Sequence, residues 1–159
     1  MPELKMRPMT VTEFEAWREP QIVEYAADMA RNAGRETGDY LALSKREFEE
    51  LLPQGLDTAG HRLLFADDVV TQERVGWLWI AERAADAEGT VAWIYDIVVG
   101  EEFRRQGYGR ALMKQAEKQA RDMGLDRIAL NVFGDNGAAR ALYESSGYHE
   151  TARQMAKDL

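Results

Sequence analysis

The sequence predicts a mixed α/β or α+β fold in which one sheet is covered by helices. Two patterns predict it. Between residues 61 and 99, three segments rich in β-branched and aromatic residues follow one another, and after residue 107 helical and strand-like segments alternate. No internal repeat, low-complexity tract or linker divides the chain, whose 159 residues have room for a substantial core. We therefore expect one domain over residues 1–159.

The first half of the chain is expected to begin with a short strand and two helices. Residues 4–9 can form the strand. Apolar residues recur at near-helical spacing over residues 11–33, which predicts a helix with a bend near Pro20. Ser44 is followed three residues later by Glu47, a pairing that resembles a capping box and predicts a short helix ending before the next proline.

The second half is expected to alternate between strands and helices. The expected strands cover residues 61–66, 74–81, 90–99 and 127–133, with a last strand near residues 149–157. Residues 107–123 carry an apolar stripe at helical spacing, and Gly124 follows as a stop signal. A second helix is expected over residues 136–146, ended by Gly147.

The composition excludes several classes of function. There is no cysteine and there are only two histidines, so disulfides, thiolate metal sites and a cysteine nucleophile are impossible, and we expect no metal. The net charge of −8 argues against nucleic acid as a partner. No apolar run approaches the roughly 20 residues needed to span a bilayer, and the N-terminus does not resemble a signal peptide. We therefore expect a cytoplasmic protein without membrane contact.

The most informative stretch is an apolar strand that runs into a basic, glycine-containing loop and then directly into an amphipathic helix. Gly107 and Gly109 let the backbone approach a ligand closely. The first N–H groups of the helix have no intrahelical partner and lie at the positive end of its dipole. Together they predict an anion site suited to a pyrophosphate, next to Arg104, Arg105 and Arg110.

A Gly-x-Gly turn before a helix is weak evidence by itself, because many such turns are only tight connections. A dinucleotide-binding fingerprint would need Gly or Ala where Leu112 stands, and a P-loop would need Gly-Lys-Ser/Thr. The order Arg-x-x-Gly-x-Gly-Arg-Ala-Leu after a Val-rich strand instead resembles the acetyl-CoA loop of the GNAT superfamily of N-acetyltransferases. The segment from Asn136 to Tyr148 resembles that family's Asn-x-x-Ala-x-x-Leu-Tyr-x-x-x-Gly-Phe/Tyr motif.

The resemblance implies a GNAT-like acyl-CoA N-acyltransferase fold, with a central, mostly antiparallel sheet and helices on both faces. It also implies a division of labour, with acceptor-side helices in residues 1–60 and an acetyl-CoA-binding core in residues 90–147. The cofactor-binding residues that it implies are Ile97, Val98, Val99, Arg104, Arg105, Gln106, Gly107, Tyr108, Gly109, Arg110, Asn136 and Tyr143. The first three would pair with the pantetheine arm and polarise the thioester carbonyl.

Three residues are implied in catalysis. Tyr143 matches the tyrosine that can protonate the departing CoA thiolate. The glutamate that often serves as general base in related enzymes is missing, because Asn131 stands at its position. Asn131 can still orient a substrate or a water. Asp96, flanked by apolar residues, is a replacement base, since burial favours the neutral form of a carboxyl; Glu24 and a water chain stay open as alternatives.

The resulting hypothesis is an acetyl-CoA-dependent enzyme that acetylates a primary amine by direct transfer in a ternary complex, since no cysteine can carry an acetyl intermediate. The alternatives are a non-catalytic acyl-CoA-binding sensor and a nucleotide-binding protein. Residues 1–60 carry −5 of the net charge of −8, either as a solvated surface or as a side that attracts cationic amines. The acceptor amine, on a small molecule or a protein, and the acyl length stay open. Dimers are common in the family, so a homodimer is one expected assembly.

Overall fold

Five strands form one mixed sheet in the computed structural model, which describes all 159 residues. The strands are β1 (Leu4–Pro8), β2 (His61–Asp68), β3 (Arg74–Ala85), β4 (Gly89–Val99) and β5 (Ile128–Leu130). Their order in the sheet follows the chain; the first four pair antiparallel, and β5 joins β4 in parallel. The predicted fold class, a mixed α/β sheet with helices, is therefore confirmed.

Four α-helices accompany the sheet. They are α1 (Val11–Ala33), α2 (Leu41–Leu51), α3 (Tyr108–Asp122) and α4 (Gly137–Ser145). The chain divides into two compact units, the first made of Met1–Ala16 and Leu52–Asn131, the second of Trp17–Leu51 and Val132–Leu159. The first unit holds the sheet and α3, and the second holds α2, α4 and most of α1. None of these helices is long and apolar enough to cross a membrane.

The core of the first unit lies between the sheet and α3. Leu112, Ala116 and Ala120 recur at four-residue intervals, so they share one face of α3, and all three are buried. Leu78 and Ile80 of β3 are fully buried. The helix ends as predicted, because Gly124 follows its last turn with a φ of +76°, the left-handed conformation that glycine adopts without strain.

A capping box that was not predicted from the sequence fixes the start of α1. Thr10 Oγ1 accepts a hydrogen bond from the Glu13 N–H at 3.2 Å, and a Glu13 carboxylate oxygen accepts one from the Thr10 N–H at 3.0 Å. The Glu13 carboxylate also pairs with Arg7 of β1 at 2.9 Å and with Arg74 of β3. These hydrogen bonds lower the pKa of Glu13 to about 2, with the Arg7 guanidinium as the largest cause.

In the second unit, α2 begins earlier than predicted. Ser44 lies inside the helix, and its Oγ donates a hydrogen bond to the Ile22 carbonyl of α1 at 2.7 Å. Ser44 is fully buried, so this contact replaces the predicted capping role. The rings of Trp17 and Tyr25 on α1 lie 6.2 and 6.3 Å from that of Phe48 on α2, and these contacts join the two helices.

Two predicted strands differ from the structure. The strand expected near residues 149–157 is absent, and these residues are exposed and form no regular element. Apart from Thr151 they have little β preference and no alternating apolar face to bury. The strand expected over residues 127–133 is shorter, because β5 pairs with β4 only from Ile128 to Leu130.

Candidate functional site

The outer edge of β4 changes its pairing halfway along the strand. Opposite β3, Asp96 pairs with Trp79 and Ile94 with Ile80, so Tyr95 is the extra residue of a β-bulge. On the other side, β5 pairs with β4 only from Ala92 to Ile94. From the bulge residue onward, residues 95–99 therefore have no strand partner on that edge. Backbone groups of Ile97, Val98 and Val99, for which the resemblance implies binding of the pantetheine arm, lie in this stretch.

The strand leads through a 3₁₀ turn at Glu101–Phe103 into the glycine loop. Arg105 and Gly107 both adopt left-handed backbone conformations, with φ of +63° and +89°, and α3 begins at Tyr108. The first backbone bond of the helix is donated by the N–H of Ala111. The six N–H groups of residues 105–110 therefore donate no hydrogen bond of normal geometry within the chain. They form a run of donors at the positive end of a helix dipole.

The side chains of this loop add positive charge. Arg104, Arg105 and Arg110 are exposed, and Arg104 makes only a long contact, 3.4 Å, from Nε to the Val99 carbonyl. The Gln106 side chain is occupied locally, since its Nε2 donates to the Glu102 carbonyl at 2.9 Å. Cationic groups that are free to move beside a row of N–H donors suit a polyanionic ligand.

Asp96 is half-buried, as the sequence predicts, and lies one residue after the bulge. Its Oδ2 accepts a hydrogen bond from the indole N–H of Trp77 at 2.7 Å. This contact fixes the orientation of the carboxylate. Asn131 lies immediately after β5, and its side chain is exposed. Asp96 thus lies on β4 and Asn131 directly follows the adjacent strand β5, both in the first unit.

Asn136 and Tyr143 belong to the second unit. The Oδ1 of Asn136 accepts a hydrogen bond from the Ala139 N–H at 3.2 Å, so Asn136 is the N-cap of α4. Tyr143 lies in the middle of α4 and is half-buried. Its ring lies 6.1 Å from that of Tyr148, whose N–H donates to the Tyr143 carbonyl. Glu24, an alternative base, is exposed on α1 of the same unit.

No cluster of three or more histidine, cysteine or acidic side chains that could hold a metal ion occurs in the chain. The features that stand out are backbone features: a free strand edge and a row of free N–H groups at a helix start.

A family model described as "Acetyltransferase (GNAT) family" matches residues 20–148, most of the chain and parts of both units. The chain belongs to the GNAT family. This confirms the family that the two motifs indicate and the prediction that the protein is an acetyl-CoA-dependent N-acetyltransferase.

Several relatives support this assignment. An uncharacterised N-acetyltransferase of Bacillus subtilis strain 168, YycN, is 33% identical over 98% of this chain and 99% of its own length. Its crystal structure matches this GNAT protein with a TM-score of 0.89 over 98% of each chain. A second uncharacterised N-acetyltransferase of the same organism, YdgE, is 31% identical over 95% of each chain.

Two contacts at the site of this GNAT enzyme could not be found from the sequence. The Trp77 indole that holds Asp96 lies 19 residues away along the chain, and the Tyr108 hydroxyl contacts Asp68, 40 residues away. Nothing local in the sequence signals either pair, because the first depends on the register of β3 against β4 and the second on how α3 packs against the sheet. The Gly loop carries a local signal, since Gly107 and the apolar stripe of α3 are visible in the sequence.

Proposed function

We propose that this GNAT enzyme transfers the acetyl group of acetyl-CoA directly to a primary amine within a ternary complex. The observation that carries the proposal is the continuity between the unpaired edge of β4 at residues 95–99 and the six free N–H groups of residues 105–110. An extended, amide-containing chain that ends in a pyrophosphate needs such an edge followed by such an anion site. The pantetheine arm and pyrophosphate of CoA have this chemistry.

In this proposal the loop binds the pyrophosphate mainly through its backbone. Six N–H donors and the dipole of α3 favour negative charge. Gly107 and Gly109 leave room for phosphate oxygens next to the peptide plane. The exposed guanidinium groups of Arg104, Arg105 and Arg110 add charge-assisted contacts to whichever phosphate lies nearest.

The edge of β4 would hold the reacting end of the cofactor. Backbone groups of Ile97, Val98 and Val99 bind the amides of the pantetheine arm. A free N–H at this edge can donate to the thioester oxygen and stabilise the negative charge that forms when the amine attacks. Asn136 contacts the cofactor near its acetyl end while it caps α4.

Two proton transfers complete the reaction. The amine nitrogen attacks the thioester carbon, a base takes a proton from that nitrogen, and the C–S bond breaks as Tyr143 donates its phenolic proton to the CoA sulfur. Asp96 is the proposed base, since it is half-buried and oriented by Trp77. Asn131 orients the amine or a water. No cysteine is present to form an acetyl-enzyme, which supports direct transfer.

The whole chain, residues 1–159, is proposed to act as one GNAT domain. Residues 1–60 would lie on the acceptor side, and residues 90–147 would bind acetyl-CoA. The family match supports this, because it runs through both units. The excess of acids in residues 1–60 favours a cationic acceptor, on a small molecule or a protein. A cytoplasmic bacterial location and a homodimer stay predictions from the sequence.

Release of the CoA thiol, measured with purified protein and a panel of amines, tests this function. The panel comprises polyamines, amino sugars, amino acids, peptide N-termini and lysine side chains. We expect thiol release that depends on the added amine, and acetylated product by mass spectrometry. Tight CoA binding without turnover on every amine would contradict the proposal and favour the acyl-CoA sensor. Stabilisation by ATP or NAD but not by CoA would indicate a nucleotide-binding protein.

Asp96→Asn is expected to lower kcat/KM by roughly 100-fold, the smaller end of what a general base contributes. A base accepts a proton only when it is ionised, so kcat/KM of the wild type rises with pH as this group loses its proton. The variant is expected to lose that rise. The measurement is a pH profile of kcat/KM for the best amine.

The matched control is Asp67→Asn, since Asp67 is also half-buried on the sheet but pairs with Arg7 at 3.0 Å. It is expected to keep the wild-type profile. If Asp96→Asn also keeps that profile, Asp96 is not the base.

A further inference from the structure

Tyr108 connects the glycine loop to a buried carboxylate on a distant part of the sheet. Its hydroxyl donates a hydrogen bond to Oδ2 of Asp68 at 2.9 Å, and both side chains are buried, with 9% and 5% of their surface exposed. Asp68 is the last residue of β2. The contact therefore joins the start of α3 to the turn between β2 and β3.

The Asp68 carboxylate uses both of its oxygens. Oδ1 accepts hydrogen bonds from the N–H groups of Val70 and Thr71, each at 2.8 Å, which close the turn. Oδ2 is left for Tyr108. The pKa of Asp68 is lowered by the Thr71 amide and then by the Tyr108 hydroxyl, so the group is ionised at neutral pH. A buried carboxylate without a cationic partner depends on such donors, so the Tyr108 hydroxyl is held firmly.

Tyr108 is fixed along its whole length. Its ring packs in a buried cluster with residues that include Leu4 and Leu112, and it meets the ring of Phe103 edge to face at 5.8 Å. Its backbone N–H is one of the six free donors of the glycine loop. The side chain thus anchors the peptide that precedes Gly109, at the point where left-handed Gly107 turns into the helix.

We propose that Asp68 is a positioning residue for the acyl-CoA donor: through the Tyr108 hydroxyl it holds the N–H groups of the glycine loop in the arrangement that binds the pyrophosphate. This inference rests on the proposed function of the loop. A binding site whose donors are already in place loses less conformational entropy when the ligand binds. The contact between Tyr108 and Asp68 therefore affects the affinity for acyl-CoA, whereas the chemical step depends on other residues.

Tyr108→Phe removes only the hydroxyl and tests this role. We expect the Kd for CoA, measured by calorimetry, and the KM for acetyl-CoA to rise about tenfold, the effect of losing one hydrogen bond to a charged group. The kcat at saturating acetyl-CoA and the KM for the amine are expected to stay at wild-type values. Asp68→Ala is expected to raise the Kd similarly, and the double variant to show little further increase, because both changes remove one contact.

Gln72→Ala is the control, since it loosens the same turn by removing the Gln72 Nε2 that donates to the Val69 carbonyl at 2.6 Å, yet keeps the contact between Tyr108 and Asp68. It is expected to lower thermal stability without changing the Kd for CoA. A wild-type Kd in Tyr108→Phe would overturn the inference. A fall in kcat with unchanged KM would also overturn it, because a purely structural role reduces the amount of folded enzyme and leaves its affinity for acetyl-CoA unchanged. Failure of the wild-type protein to bind CoA would instead overturn the proposed function of the loop.

Discussion

Gly109→Val is expected to weaken CoA binding by at least about 100-fold, the equivalent of losing two charge-assisted hydrogen bonds. Gly109 is the second residue of α3, and its N–H is one of the six free donors of the loop. A branched side chain beside these donors obstructs the approach of phosphate oxygens. The helix itself is expected to tolerate valine, because valine has a higher helix propensity than glycine. Calorimetry with CoA and a thermal melt measure the two effects separately.

A matched pair of glycines provides the control. Gly107 and Gly124 lie at the two ends of α3 in left-handed conformations, with φ of +89° and +76°. Valine at either position causes similar backbone strain, about 1–3 kcal/mol. The two positions differ in their surroundings. A Cβ at Gly124 would meet nothing within 4 Å, whereas one at Gly107 would lie 3.2 Å from Pro2 Cδ, so Gly107→Val also requires a small shift of Pro2. Gly107→Val should lose CoA binding and Gly124→Val should keep it. Wild-type affinity in Gly109→Val would show that the loop does not bind the pyrophosphate.

Elements with local signals could be predicted from the sequence. The α3 helix carries a strong apolar stripe, a glycine before it and Gly124 after it, and its bounds differ from the prediction by one residue at each end. The α1 helix was located for the same reason, and its periodicity persists through Pro20. Local periodicity and end signals determine such helices before any tertiary contact is considered.

Features that depend on distant contacts could not be predicted. Ser44 has the spacing of an N-cap, but its hydroxyl instead bonds the Ile22 carbonyl on another helix, so α2 extends past it. The bulge at Tyr95 and the short pairing of β5 follow from strand register, which the sequence of one strand does not specify. The same limit applies to the site: the loop and Asn136 were recognisable from motifs, while the contacts of Asp96 with Trp77 and of Tyr108 with Asp68 were not.

Tyr143→Phe is expected to lower kcat by roughly 100-fold or more, the contribution of a general acid, while the Kd for CoA changes little. An alkyl thiolate leaves more easily once it is protonated, since its conjugate acid has a pKa of about 8.5. A phenylalanine keeps the ring and its contact with Tyr148 but has no proton to donate. The loss should therefore fall on the chemical step. The measurement is kcat under conditions in which chemistry limits the rate, shown by the absence of a product burst.

Tyr148→Phe is the matched control for this experiment. It removes the same hydroxyl group from the neighbouring ring, 6.1 Å from that of Tyr143, and phenylalanine is the alternative residue at this position of the family motif. This variant is expected to keep its kcat. If Tyr143→Phe keeps full kcat as well, the CoA thiolate leaves without an acid from this residue. If instead both variants lose kcat and thermal stability together, the phenols stabilise α4, and the acid must be sought elsewhere, because a general acid acts on the rate without acting on the melting temperature.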